Sequence, residues 1–111
     1  MEILDELTSI LSGMSLPIKI GYFYGRIPTS YIILSPLPDQ SVLYADDAPQ
    51  IRVCAAKISL FAMDDFQQIG EEIAHLVVDA DFVITERLYE GFDKESERQK
   101  YSISIVKEYF F

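Results

Sequence analysis

Hydrophobic spacing changes period twice along this chain, and that change limits the available folds more than any other feature. Ile3, Leu4, Leu7, Ile10, Leu11 and Met14 fall at offsets 0, 1, 4, 7, 8 and 11, the stripe of an amphipathic α-helix. Asp5 and Glu6 lie near its N-terminal end, where acids complement the helix dipole, and Gly13 followed by Pro17 predicts its stop. A second stripe, Phe66, Ile69, Ile73, Leu76 and Val77, has offsets 0, 3, 7, 10 and 11, with Asp64 and Asp65 placed to cap it and an end expected near Ala80 and Asp81.

Between and after these helices the runs are short, extended and rich in β-branched and aromatic residues. Residues 18–24 and 29–34, separated by Gly25, Arg26, Ile27 and Pro28, read as a hairpin. Residues 35–50 hold Pro36, Pro38 and Pro49 with Asp39, Asp46 and Asp47, so a long excursion is expected there, with at most a short strand at residues 42–44. The longest strand candidate covers residues 50–63. Its apolar positions alternate as Ile51, Val53 and Ala55 and then change phase to Ile58 and Leu60. The two halves either bury opposite faces or meet at a bulge, and a strand covered on both sides is implied, with a partner as one candidate cover. Residues 82–90 and 98–110 are two further strands joined by a charged turn. In the last, Tyr101, Ile103, Ile105, Lys107 and Tyr109 point one way.

The resulting order, α-β-β-(β)-β-α-β-β, predicts a two-layer α+β domain with an antiparallel or mixed sheet and both helices on one face. At 111 residues, 50% of them hydrophobic, the chain fits one domain over 1–111 with a real core.

Charge restricts function. The chain carries 18 Asp and Glu against 9 Lys and Arg, a formal net charge of −9. Phosphate backbones are bound by cations, so an ordinary DNA or RNA reader is disfavoured. No segment approaches the roughly 20 apolar residues of a membrane span, and residues 1–6 are acidic where a secretory leader would be basic. A soluble product made in a reducing cytoplasm, with no membrane partner, is expected.

Catalytic patterns are sparse. Gly21 and Gly25 are isolated, with no phosphate-binding loop, and the single Cys54 and single His75 make neither a zinc motif nor a nucleophile pair with a third group. Cys54 reads as a buried thiol and His75 as a half-buried helix residue. Asp46 and Asp47 read as a solvated, turn-forming acidic loop rather than a divalent site, and Glu71 and Glu72 as the exposed side of the second helix. No enzyme, cofactor or metal is expected. The aromatic runs Tyr22-Phe23-Tyr24 and Tyr109-Phe110-Phe111 read either as core plus sheet surface or as an association surface, since exposed apolar patches mark contacts.

Several residues carry a resemblance. Thr29-Ser30-Tyr31, Tyr44-Ala45-Asp46-Asp47 and Ala56-Lys57-Ile58-Ser59-Leu60-Phe61, followed by the Asp-initiated helix, resemble the tail-terminator or tail-completion proteins of siphophages infecting Gram-positive bacteria, over roughly residues 15–111. The resemblance implies a structural virion protein at the head–tail junction. It would cap the head-proximal end of the tail tube, stop its polymerisation and dock onto the head connector or stopper protein, usually as a hexameric ring through which DNA passes without specific binding. Assembly would occur in the host cytoplasm, and several of the acids would face the pore. The loop over residues 44–49, with Tyr44, Asp46 and Asp47, is the first interface candidate, with Arg26, Arg52 and Arg87 as cross-subunit partners for its acids. An exposed sheet face carrying Tyr22, Tyr24, Tyr101 and Tyr109 is the second. A head-closure protein of the same kind of particle and an acidic DNA mimic blocking a host nuclease are the competing readings. Charge reversal at Asp46 and Asp47 together should lower virion yield through unfinished tails or failed head attachment, and normal yields from the double variant would remove this loop from the interface.

Overall fold

The computed structural model describes residues 2–21, 26, 28–45 and 48–110, with the backbone alone described over 39–45, 48–51 and at 110. Two helices, α1 (Glu2–Leu11) and α2 (Phe66–Asp79), lie on one face of a five-stranded sheet built from β1 (Ile18–Ile20), β2 (Ser30–Ala45), β3 (Ala48–Ala62), β4 (Val83–Asp93) and β5 (Arg98–Phe110). The order across the sheet is β1-β2-β3-β5-β4, with β1 parallel to β2 and every other pair antiparallel. The expected two-layer α+β arrangement is present, and its sheet is mixed.

Both helical stripes bury as their spacing requires. Ile3, Leu4, Leu7 and Leu11 of α1 and Ile73 and Val77 of α2 meet Ile32, Leu34, Cys54, Ala56, Ile58, Leu60, Ala62, Ile103 and Ile105 in one core. Gly70 lets α2 approach β5, because a Cβ there would stand 3.3 Å from the ring of Tyr101. The α1 helix gives way to a 3-10 turn over Ser12–Met14, and Ser15 turns out of it with φ of 60°.

Five local expectations are corrected. Residues 18–20 do not form a hairpin with β2. They run parallel to it, Ile18 opposite Ile32 and Ile20 opposite Leu34, so the connection crosses over instead of turning back. The expected excursion over residues 35–50 is mostly strand: β2 and β3 make one long hairpin whose farthest described rungs pair Tyr44 with Pro49 and Ala45 with Ala48. Proline is tolerated because β1 reaches only to Leu34. Beyond that point β2 has β3 as its single neighbouring strand among the described residues, and Pro36 and Pro38 sit on an edge. From Leu37 to Ser41 on β2 the partner moves only from Ala55 to Val53, which leaves Pro38 inside a two-residue irregularity.

The third correction concerns β3, which does not change phase. Cys54, Ala56, Ile58, Leu60 and Ala62 all face the helices, in unbroken register with β5. Ala55, Ser59 and Phe61 are buried as well, on the opposite face. The strand is thus buried on both faces, although helices pack on only one, and no bulge against β5 is needed. Fourth, Asp65 occupies the N-cap position of α2 in a left-handed conformation, φ 57°, and makes no side-chain cap bond; its carbonyl accepts from the Ile69 amide at 3.0 Å. Buried Cys54 and exposed Glu71 and Glu72 stand as expected, whereas His75 is exposed.

The long hairpin makes the molecule 51 Å long against 26 and 24 Å, with a radius of gyration of 15.0 Å, above the roughly 13 Å of a compact chain of this length. Ile58 is fully buried on the central strand, between Leu34 and Ile103 in register. Ile58→Ala should cost about 3 kcal/mol, seen as a lower urea midpoint with an unchanged denaturant slope.

Candidate functional site

With α1 and α2 on one side, the other side of the sheet has no helix packed on it among the described residues. Because side chains alternate, the residues between the core positions line up there in rows that the pairing register defines. Leu37, Ala55, Val106 and Val83 form one row across β2, β3, β5 and β4. Every member is apolar, and Val83 is 61% exposed. Beside it Ser35, Lys57, Ser104 and Glu86 form a polar row, and Ile33, Ser59, Ser102 and Leu88 a mixed one. A shallow depression of about 490 Å³ opens next to the apolar row, lined by Val53, Asp81, Val83, Val106, Lys107 and Glu108.

The far end of the same face is tied down. Tyr31 stacks on Phe61 with ring centroids 4.9 Å apart, and the Lys100 ammonium stands 5.5 Å over the Phe61 ring. Glu90 follows Leu88 onto this face by alternation, at the bulge between Tyr89 and Gly91. There it accepts a hydrogen bond from the Ser102 hydroxyl and lies 3.7 Å from both Lys57 and Lys100. The Ser102 bond holds the Glu90 carboxyl below its ordinary value against the opposing effect of burial, with Lys100 and Lys57 adding to the shift. One carboxylate thereby neutralises part of two ammonium groups on a half-apolar surface.

On the helix side, Lys107 of β5 bonds to Glu6 of α1 and donates to the Ala80 carbonyl at 3.0 Å, while the Tyr109 hydroxyl donates to Glu6 at 3.0 Å. Burial, and then the Glu6 bond, push the Tyr109 phenol well above its ordinary range. This cluster fastens α1 to β5 and to the end of α2.

The interface residues expected from sequence therefore separate. Tyr101 and Tyr109 do not stand on the uncovered face: they alternate with Ser102 and Ser104, so the face that takes the helices takes them too, half-buried against the core. Arg87 is on the helix side, paired with Glu71 at 2.5 Å and bonded to the Tyr101 hydroxyl at 2.8 Å. The Arg52 guanidinium reaches the Cys54 sulfur at 3.2 Å, and Arg26 is exposed. The backbone of Tyr44 lies in the hairpin, while Tyr22, Tyr24, Asp46 and Asp47 lie outside the described residues. Of these, Arg26, Arg52, Arg87, Tyr101 and Tyr109 stand outside the apolar row. That row was open to detection as the alternate set of β3 and β5, once the pairing register was known.

Among the described residues no group of three His, Cys, Asp or Glu side chains is close enough to hold a metal ion, and no helix is long and apolar enough to cross a membrane. No family model matches the chain, and no curated protein matches it in sequence.

The Glu90 cluster has a definite pH signature. Its carboxyl titrates lower in the folded chain than unfolded, so its contribution is present above the unfolded value and is lost as pH falls through the folded one. Glu90→Gln should accordingly lose less stability than the parent on acidification from neutral to below about pH 4, measured by urea unfolding at each pH. Equal losses would mean that the cluster does not act on folding.

Proposed function

We propose that this chain is a structural virion subunit of the tail-terminator type, which caps the head-proximal end of a phage tail tube, stops its growth and presents a docking surface to the head connector. The apolar row Leu37, Ala55, Val106 and Val83 carries the reading. A sheet with helices on one face only, and on the other an apolar row running from buried Ala55 and half-buried Leu37 and Val106 to exposed Val83, offers its Val83 end to a neighbour. The motifs around Tyr31, residues 44–47 and residues 56–61, which resemble that family, support the same reading.

A cap of this kind assembles from copies of itself and lets DNA through. Its charge suits that passage. The two helices carry Glu2, Asp5, Glu6, Glu71, Glu72 and Asp79 and not one Lys or Arg; with Glu6 paired to Lys107 and Glu71 to Arg87, Glu2, Asp5, Glu72 and Asp79 are the helix acids that would repel phosphate. Self-association into a closed ring requires two different surfaces on every copy, joined head to tail. The tube then occupies a third, and the uncovered sheet face is the candidate for it.

Sedimentation with purified tail tubes tests the proposal directly. The chain should pellet with tubes, and phage lacking its gene should make overlong or unfinished tails. Finished tails on DNA-leaking heads would instead identify a head-closure protein, and absence of tube binding would overturn the tail reading. Val83→Asp should abolish pelleting while leaving the stability of the isolated chain within about 0.5 kcal/mol, because the side chain is exposed in the single copy.

A further inference from the structure

We infer that a second copy of this chain adds its β1 to the outer edge of β4, antiparallel and three residues long, and that this edge contact is the head-to-tail joint between copies. Of seven large apolar or aromatic side chains exposed among the described residues, five stand on the two edge strands: Ile20 on β1, and Val83, Leu88, Tyr89 and Phe92 on β4. Edge strands ordinarily carry charge or proline that blocks pairing. Here both edges expose apolar side chains beside charged ones, Lys19 on β1 and Glu86, Arg87, Glu90 and Asp93 on β4, and among the described residues β1 pairs only with β2 and β4 only with β5.

Strand direction permits the joint. β1 runs with β2, against β3, with β5 and against β4, so a copy laid beside β4 in the same orientation presents its β1 antiparallel to it. The helices of both copies remain on one side, and the apolar rows remain together on the other. Each added copy offers a new β4, which makes the contact heterologous and able to close under rotation.

Two bulges select the register. They interrupt β4 against β5 between Ile84 and Glu86 and between Tyr89 and Gly91, leaving a regular stretch over residues 86–89. A strand of three fits that stretch, and one longer than four would meet a bulge. With side chains kept to their own faces, Lys19 falls opposite Leu88, Ile18 opposite Tyr89 and Ile20 opposite Arg87. Lys19 then stands diagonal to Glu86 on the same face. Moving it to face Glu86 would place Ile20 on the Thr85 bulge. Pairing of β4 with another β4 is disfavoured by charge. About Glu86 or Arg87 each meets its own like, about Leu88 Glu86 meets Glu90, and about Tyr89 the bulge at Glu90 enters the contact.

The inference names the joint on which the ring of the proposed function would close, and it rests on that reading for its head-to-tail sense. In a Cys54→Ala background, Lys19→Cys combined with Leu88→Cys should give, on mild oxidation across a concentration series, a ladder of covalent oligomers beyond the dimer. Each single-cysteine variant should stop at dimers. Lys19→Glu should weaken association about fivefold, and Glu86→Lys added to it should restore affinity to within about twofold, both by sedimentation velocity. No ladder at any concentration overturns the joint. Tube binding without a ladder overturns the joint and leaves the tail reading standing, whereas a ladder without tube binding supports the joint and removes the tail reading.

Discussion

The register of β3 against β5 is the constraint on which the rest of the structure depends. Twelve consecutive residues of β3, from Ile51 to Ala62, pair with β5 without a slip. That continuity sets Cys54, Ala56, Ile58, Leu60 and Ala62 beneath the helices and sends Ala55, Lys57, Ser59 and Phe61 to the other side. A shift of one residue would exchange the two sets and place Lys57 in the core. The small side chains Cys54 and Ala56 are buried in the same core as Leu4, Leu7 and Leu11 of α1.

Much of this was legible in the sequence, and the failures have physical causes. Both helical stripes, the β4–β5 hairpin and the facing of β5 follow directly from spacing, because each pattern is long and its apolar members are large. In β3 the apparent phase change arose from weighing Val53 and Ala55 above Cys54 and Ala56, although the smaller pair faces the core. Small buried residues leave a weak periodic signal. Proline misled for a different reason. It excludes a strand from the middle of a sheet, but whether residues 35–45 are in the middle depends on how far β1 extends, and β1 is three residues long. No local pattern reveals the length of a neighbour.

The interaction surface was the least legible part. Tyr101 and Tyr109 attracted notice as aromatics on a terminal strand, yet their hydroxyls are engaged inside the molecule, by Arg87 and with Glu6 respectively. A tyrosine at a sheet–helix boundary buries its ring and keeps its oxygen bonded. The apolar row drew no notice because its four residues come from four strands, spread from Leu37 to Val106, and no two are neighbours in sequence. Such a row is a property of topology, visible only after the sheet order and each register are in place.

Charge and edge chemistry oppose each other in any assembly of these copies. A three-residue strand addition supplies few backbone hydrogen bonds, each worth about 1 kcal/mol net. Every copy also brings a charge of −9, which repels the next across a distance set by salt. A joint this short therefore stays weak between free copies, and a surface that holds several of them side by side replaces the cost of each encounter with a high effective concentration. The apolar rows, all on one side of such an array, are where that surface would bind. The proposed joint and the row would then strengthen one another: on the proposed reading, a tube end would gather copies whose edges pair, and paired edges would align rows that bind it. A protein organised in this way stays dispersed at high net charge and closes only where its template is, which is the behaviour a tail cap requires.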